Sequence, residues 1–198
     1  MNEIDTLRAA LGVIAVFDAL GIEYHVGGSI ASSFYGVSRS TMDADLIANI
    51  LPRHVLPLVQ KLESTYYVEG EAIREAITLK SAFNLIHLDS MLKVDVFVLP
   101  DAPYDREAFA RAVPDRLLDE EPHSLVRVAS AEDVVLNKLR WYRLTGDRSE
   151  RQWSDVLGVL KVQAKSLDVE YMRKWAGELT VTELLERALM DAGLATEQ

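Results

Sequence analysis

The stretch that most constrains this chain is residues 26–50, VGGSIASSFYGVSRSTMDADLIANI. A double glycine followed by a serine opens it, and two aspartates two positions apart close it. The flanking runs, IEYHV before the glycines and MDADLIANI after the arginine, read as strands. Between them IASSFYG reads as a short helix opened by Ser29. Glycines let a backbone approach a phosphate closely, and the amides of a following helix favour an anion. A carboxylate pair on the next strand suits the divalent cation that accompanies such a phosphate. The unit therefore predicts a place for a nucleoside triphosphate and its metal, with Gly27, Gly28 and Ser29 at the phosphates.

Asp43 and Asp45 share one strand face because strand side chains alternate. Like charges so close repel each other unless a cation lies between them. Arg39 and Thr41 extend the same alternation, so Arg39, Thr41, Asp43 and Asp45 are expected on one face. Arg39 then either contacts phosphate or neutralises the aspartates, and Ser29 either bonds a phosphate oxygen or caps the helix. Further on, KVDVFV places Asp95 in the middle of an apolar strand, where a carboxylate needs a reason. Asp95 is a candidate third carboxylate for the same metal; otherwise it is a satisfied core carboxylate.

The remaining chain is read around this unit. Residues 4–20 carry Ile4, Leu7, Leu11 and Ile14 at helical spacing and end at Gly21. Pro52 can open a helix striped by Val55, Leu58, Val59 and Leu62. Residues 66–68, 83–88 and 92–98 read as strands, the last two joined at Asp89–Ser90. Residues 71–79 are open between helix and loop, and residues 105–112 read as a helix. Short strands are expected at 116–118 and 125–128.

From Ser130 the pattern turns helical. Ser130 is a cap, Ser149 with Gln152 forms a capping box, and Asp168 caps a third helix, with a fourth near residues 181–192. Lys138 and Asp155 lie on the first two of these helices. Read plainly they are solvated, with Arg151 and Asp155 as an i,i+4 pair. Lys138, Arg140, Arg143, Arg148 and Arg151 form a local basic cluster suited to a triphosphate or polyanionic acceptor. Trp141, Tyr142 and Trp153 read as core aromatics. The fold class is α+β: a core over residues 1–128 with a helical region, 129–198, packed on it.

Composition limits the function. A net charge of −10 over 198 residues argues against a protein that grips nucleic acid nonspecifically, since such affinity comes from neutralising phosphates. The absence of cysteine removes disulfides, thiolate metal sites and cysteine nucleophiles, and it fits a reducing cytoplasm. No apolar run approaches about 18 residues, and MNEIDTLRAA lacks a basic segment before an apolar one, so a cytoplasmic protein without membrane association is expected. His25, His54, His87 and His123 are scattered without metal-ligand spacing. No nucleophile elbow, Walker-type loop or dinucleotide fingerprint is present.

The set Gly27-Gly28-Ser29, Arg39-x-Thr41-x-Asp43-x-Asp45 and the later Asp95 resembles the DNA polymerase β-type nucleotidyltransferase superfamily. The segments ASAEDVVLNKL, with Lys138, and RQWSDV, with Asp155, resemble motifs of AbiEii/MenT-type nucleotidyltransferase toxins and their DUF6036-like relatives. The resemblance covers roughly residues 22–160. It implies a nucleotidyltransferase-like mixed β-sheet flanked by helices, with a helical C-terminal region. It further implies that Gly28 and Ser29 bind the triphosphate, that Asp43 and Asp45 hold magnesium or manganese, and that Asp95 helps deprotonate an acceptor hydroxyl. Lys138 would contact nucleotide phosphates, and Asp155 would be a polar partner of the site. The acceptor is RNA, a protein or a small molecule, and a cognate antitoxin is a candidate partner. Three readings follow: a metal-dependent nucleotidyltransferase acting as a toxin, an antibiotic-modifying nucleotidyltransferase, and an inactive relative that senses nucleotides or binds a partner.

Overall fold

The computed structural model describes residues 3–118 and 125–194; His123 lies outside the described residues. Two compact units divide them: Met1–Gly27 with Ser40–Val128, and Gly28–Arg39 with Ala129–Gln198. The sequence division at residues 128 and 129 left Gly28–Arg39 with the sheet, whereas in the structure this segment groups with the C-terminal helices.

In the first unit, helix α1 (Glu3–Leu20) is followed by β1 (Tyr24–Val26), and after Ser40 come β2 (Asp43–Ala48), a 3-10 turn at Pro52–His54, α3 (Val55–Leu62) and β3 (Tyr66–Tyr67). Helix α4 (Gly70–Leu79), β4 (Ala82–His87), β5 (Lys93–Val98), α5 (Pro103–Ala110), β6 (Val113–Arg116) and β7 (Leu125–Val128) complete it. The open segment at 71–79 is thus helical, and the strand expected at 116–118 lies a few residues earlier. The strands form one mixed sheet in the order β3-β4-β5-β2-β1-β7-β6. β2 pairs with β5, and β1 with β7, in parallel; the other pairs are antiparallel.

Alternation explains the register. Ala44, Leu46 and Ala48 of β2 and Val94, Val96 and Val98 of β5 are all buried, and α1 packs on both strands through the equally buried Ala10, Val13, Ile14 and Phe17. A one-residue slip would expose this entire set, so the opposite face of both strands is fixed at the same time. Residue for residue, Asp43 lies beside Lys93 and Asp45 beside Asp95.

β2 also carries a pH-sensitive neighbour. His25, opposite Ile47 in the β1–β2 ladder, is buried and stacks on Phe109 at 5.2 Å, and its Nδ1 makes no hydrogen bond. Burial, with the Arg127 charge adding, pushes its pKa down to about 4.

The second unit holds α2 (Gly28–Tyr35), α6 (Ala131–Leu144), α7 (Glu150–Gln163), α8 (Val169–Glu178) and α9 (Thr182–Asp191). Helix α2 packs against α6 and α7. At the end of α2, a Cβ on Gly36 would stand 2.8 Å from the Val159 amide nitrogen and 2.9 Å from the Gly158 carbonyl carbon, so only glycine allows this approach. Gln163 Nε2 also donates to the Tyr35 carbonyl at 2.9 Å. These contacts are why residues 28–39 join the helices.

Caps follow the sequence expectation in part. Ser130 Oγ accepts from the Asp133 amide, and Asp168 Oδ1 accepts from the Tyr171 amide. Ser149 Oγ accepts from the Gln152 amide, but the return half of the expected capping box is missing, because Gln152 Oε1 is buried without a partner. Among the aromatics expected in the core, Tyr142 is buried and packs on Trp153 at 5.2 Å, whereas Trp141 is exposed. No helix among the described residues is long and apolar enough to cross a membrane.

Candidate active site

The carboxylates of the sheet unit stand on the face fixed by the β2–β5 register. Strand β2 starts at Asp43, so Arg39 and Thr41 lie outside it and do not continue its face as the sequence alternation predicted. Thr41 is instead a buried support: its hydroxyl donates to Asp43 Oδ1 at 2.9 Å, and its carbonyl accepts from Thr6 Oγ1 at 3.0 Å. Gly27 closes the other end of this local network by donating its amide to the Asp45 carbonyl at 2.9 Å.

Asp95 is 9% exposed, which interrupts the alternation of β5. Its Oδ2 accepts from Lys93 Nζ at 2.7 Å, while its Oδ1 is buried with no hydrogen-bond partner. A desolvated carboxylate oxygen without a donor is costly, and such groups mark places where a ligand or ion completes the bonding. The hydrogen bond to Asp95, with the charges of Asp95, Asp43 and Asp45, holds the Lys93 ammonium above its ordinary pKa. The face therefore carries three carboxylates and one ammonium. Among the described residues, no three acidic or histidine side chains are drawn together closely enough to cage a metal. The donor set is all oxygen, which suits magnesium, an ion usually held by one or two carboxylates with waters and phosphates completing its shell.

The helical unit builds a different cluster. Gly28 opens α2 with φ of +54°, a backbone state that glycine adopts without strain. Because the helix starts there, Ser29 lies within its first turn rather than capping it. The Ser29 hydroxyl accepts from Arg39 Nη2 at 2.7 Å. Arg39 also donates Nε to Asp155 Oδ1 and Nη2 to Asp155 Oδ2, each at 2.7 Å, a two-pronged pairing. Lys138 Nζ donates to Asp155 Oδ2 at 2.7 Å. Neither reading of Arg39 foresaw this: its partners are Asp155 and Ser29.

Lys138 and Asp155 are both buried, contrary to the expectation of solvated helix faces and an Arg151–Asp155 pair. The reason was legible in the helical period. Val134, Val135, Lys138, Leu139 and Tyr142 form the buried stripe of α6, and Asp155, Val156, Val159 and Leu160 that of α7. A charge inside each apolar stripe predicts that the two meet when the helices pack, as α6 and α7 do. Burial would raise the Asp155 pKa, but the hydrogen bonds and charges of Arg39 and Lys138 outweigh it and hold the carboxyl below its ordinary value. The expected basic cluster is divided as well: Lys138 is inside, Arg143 pairs with Asp147 and Glu183, and Arg148 and Arg151 are exposed.

No family model matches the chain, and no curated protein matches it in sequence. Its likeness is to solved structures. The crystal structure of an antigenic nucleotidyltransferase-like protein from Paracoccidioides brasiliensis aligns with a TM-score of 0.58 at 18% identity, over 96% of this chain and 95% of that one. The solution structure of the antibiotic-resistance factor ANT(2'')-Ia aligns at 0.58 and 16% identity, over 93% and 97%. The crystal structure of ANT(2'')-Ia with adenylyl-2''-tobramycin gives 0.57 and 15%, over 88% and 96%. The chain has an α+β fold with a mixed sheet, and that fold is nucleotidyltransferase-like.

Proposed function

We propose that the protein is a metal-dependent nucleotidyltransferase that moves a nucleoside monophosphate from a nucleoside triphosphate to an acceptor hydroxyl. The observation that carries this reading is the side-by-side register of Asp45 and Asp95 with Asp43 on the same face, one oxygen of Asp95 being buried and unpartnered. The likeness to nucleotidyltransferase-like structures supports it.

Asp43 and Asp45, with Asp95 beside them, are the residues that would hold magnesium or manganese. A bound divalent ion supplies charge neutralisation for the phosphates and for the leaving pyrophosphate. Phosphoryl transfer otherwise depends on positioning and electrostatics. The acceptor oxygen forms a bond to the α-phosphorus, the bond from that phosphorus to the bridging oxygen breaks, and pyrophosphate leaves. The hydroxyl proton passes to Oδ1 of Asp95, the unpartnered oxygen. In the helical unit Gly28 and Ser29 open α2, and Arg39 and Lys138 both bond the Asp155 carboxylate. Gly27 and Thr41 fix the strand ends that carry Asp45 and Asp43.

For the acceptor we propose a small molecule. ANT(2'')-Ia, one of the similar structures, holds an adenylylated tobramycin, and the net charge of −10 suits a cationic acceptor better than RNA. The test is labelled nucleoside triphosphate and magnesium, incubated with cell lysate and with an aminoglycoside panel. Label in a small molecule supports the reading; label in RNA or protein moves the acceptor to the toxin-like class. Asp43→Asn is expected to lower transfer by about 100-fold or more while the fold persists. Equal metal-dependent triphosphate binding by wild type and Asp43→Asn, measured calorimetrically, would sink the metal assignment.

A further inference from the structure

Lys93 was not singled out by the nucleotide chemistry, yet it stands in the middle of it. It is the register partner of Asp43, two positions along the ladder from the Asp45–Asp95 pair and so on the same face. Its side chain shares the face of all three carboxylates, and its ammonium lies 2.7 Å from Asp95 Oδ2. A surface ion pair would need no comment, but this one joins a 44%-exposed lysine to a carboxylate whose other oxygen is buried and unpartnered. The lysine end is mobile in principle, since a flexible four-carbon stem carries a strongly hydrated head that water readily accepts. The carboxylate end is fixed in the sheet.

We infer that Lys93 is a built-in occupant of the cation position, an internal counterion that a divalent ion must displace from Asp95 before it binds. This inference rests on the metal-binding reading of Asp43, Asp45 and Asp95. Three carboxylates in one patch are mutually destabilising without a cation, so a protein that waits for metal needs a substitute charge. A monovalent ammonium serves, and it is weaker than a divalent ion at the same oxygens. The consequence is an order of events. Metal alone has to compete with Lys93, whereas a metal that arrives with a triphosphate brings ligands of its own. Lys93 thus disfavours bare metal in the site.

Binding of Mn2+ in the absence of nucleotide, followed by the loss of the free-ion paramagnetic resonance signal, tests this directly. Lys93→Met and Lys93→Gln keep the stem or a similar volume and remove the charge; Lys93→Arg keeps it. Both uncharged variants are expected to bind Mn2+ about tenfold more tightly than wild type, Lys93→Arg to match wild type, and Asp45→Asn to abolish binding in each background. A non-hydrolysable triphosphate should tighten Mn2+ binding more in wild type than in Lys93→Met. Unchanged or weaker Mn2+ binding in both uncharged variants overturns the inference and leaves Lys93 as a support for Asp95. If wild type binds Mn2+ through Asp45 and the variants bind no better, only the displacement idea fails. If no variant binds Mn2+ with or without triphosphate, the metal reading fails too. Thermal unfolding of each variant identifies one that is misfolded, and the other uncharged variant then decides.

Discussion

The sheet unit and the helical unit each gather charged side chains, and they treat them in opposite ways. On the β2–β5 face three carboxylates face one ammonium, and an oxygen of Asp95 is left without a donor. In the helical unit Asp155 receives three hydrogen bonds, two from Arg39 and one from Lys138, and is buried with both of its oxygens bonded. The first cluster leaves an oxygen of Asp95 unbonded; the second bonds both oxygens of Asp155. An incomplete cluster costs stability until a ligand arrives, which is the usual cost of a binding site, whereas a complete one costs stability only when broken.

The largest expected effect comes from breaking the complete cluster. Asp155→Ala removes the buried carboxylate that Arg39 and Lys138 both bond and is expected to lower stability by about 3–5 kcal/mol. Urea unfolding followed by tryptophan fluorescence measures it, since Trp141, Trp153 and Trp175 all belong to the helical unit. Asp45→Asn on the sheet should do the reverse. It relieves repulsion, so the melting temperature stays or rises. If Asp45→Asn destabilises as much as Asp155→Ala, the contrast between the two clusters is wrong.

Acid separates the two units next. The folded protein keeps His25 neutral, with a pKa near 4, while an unfolded histidine takes up its proton near 6.5. Stability from this source is complete above pH 6.5 and is lost as pH falls towards 4, a loss of about 3 kcal/mol. Asp155 is held below the ordinary 3.8, so its contribution persists above that pH and fades only below it. Unfolding curves at pH 7 and pH 4.5 should show the loss in wild type, and His25→Phe should flatten it. An unchanged slope in that variant would assign the acid sensitivity elsewhere.

The smallest effect sharpens the sheet side. Thr41→Val removes the hydroxyl that bonds Asp43 and is expected to cost about 1 kcal/mol. Under the metal reading it also weakens Mn2+ binding, because Asp43 loses the bond that orients it. Denaturant midpoints and Mn2+ titrations of the same samples report the two parts separately.

Much of this fold was readable from local pattern. The α1 stripe held at Leu7 and Ile14 but not at Ile4, which is exposed; caps at Ser130 and Asp168 and the alternation of Val94, Val96 and Val98 each follow from rules a few residues long. Asp43 and Asp45 were legible as face-sharing carboxylates for the same reason. The partners of Arg39, Lys138 and Asp155 were not, because Arg39 and Asp155 are 116 positions apart. The alternation rule misplaced Arg39, since β2 begins only at Asp43, while Gly36, Val37 and Arg39 contact α7. Lys138 and Asp155 were read from charge, when their place in the apolar stripe was the better guide. Strand alternation puts Lys93 on the face of Asp95, but their ion pair is seen only in the structure.

The amino-acid sequence by itself determined which residues could do chemistry: the carboxylates at 43, 45 and 95, the glycines, and the helix ends. Those depend on side-chain identity and on the short periods of strand and helix, which are local. Only the tertiary structure decided that Asp45 and Asp95 stand side by side, that Lys93 lies across from Asp43, and that Asp155 is claimed by Arg39 and Lys138. Strand register and helix packing set those pairings, and both are chosen by burial summed over many residues rather than by the charged residues themselves.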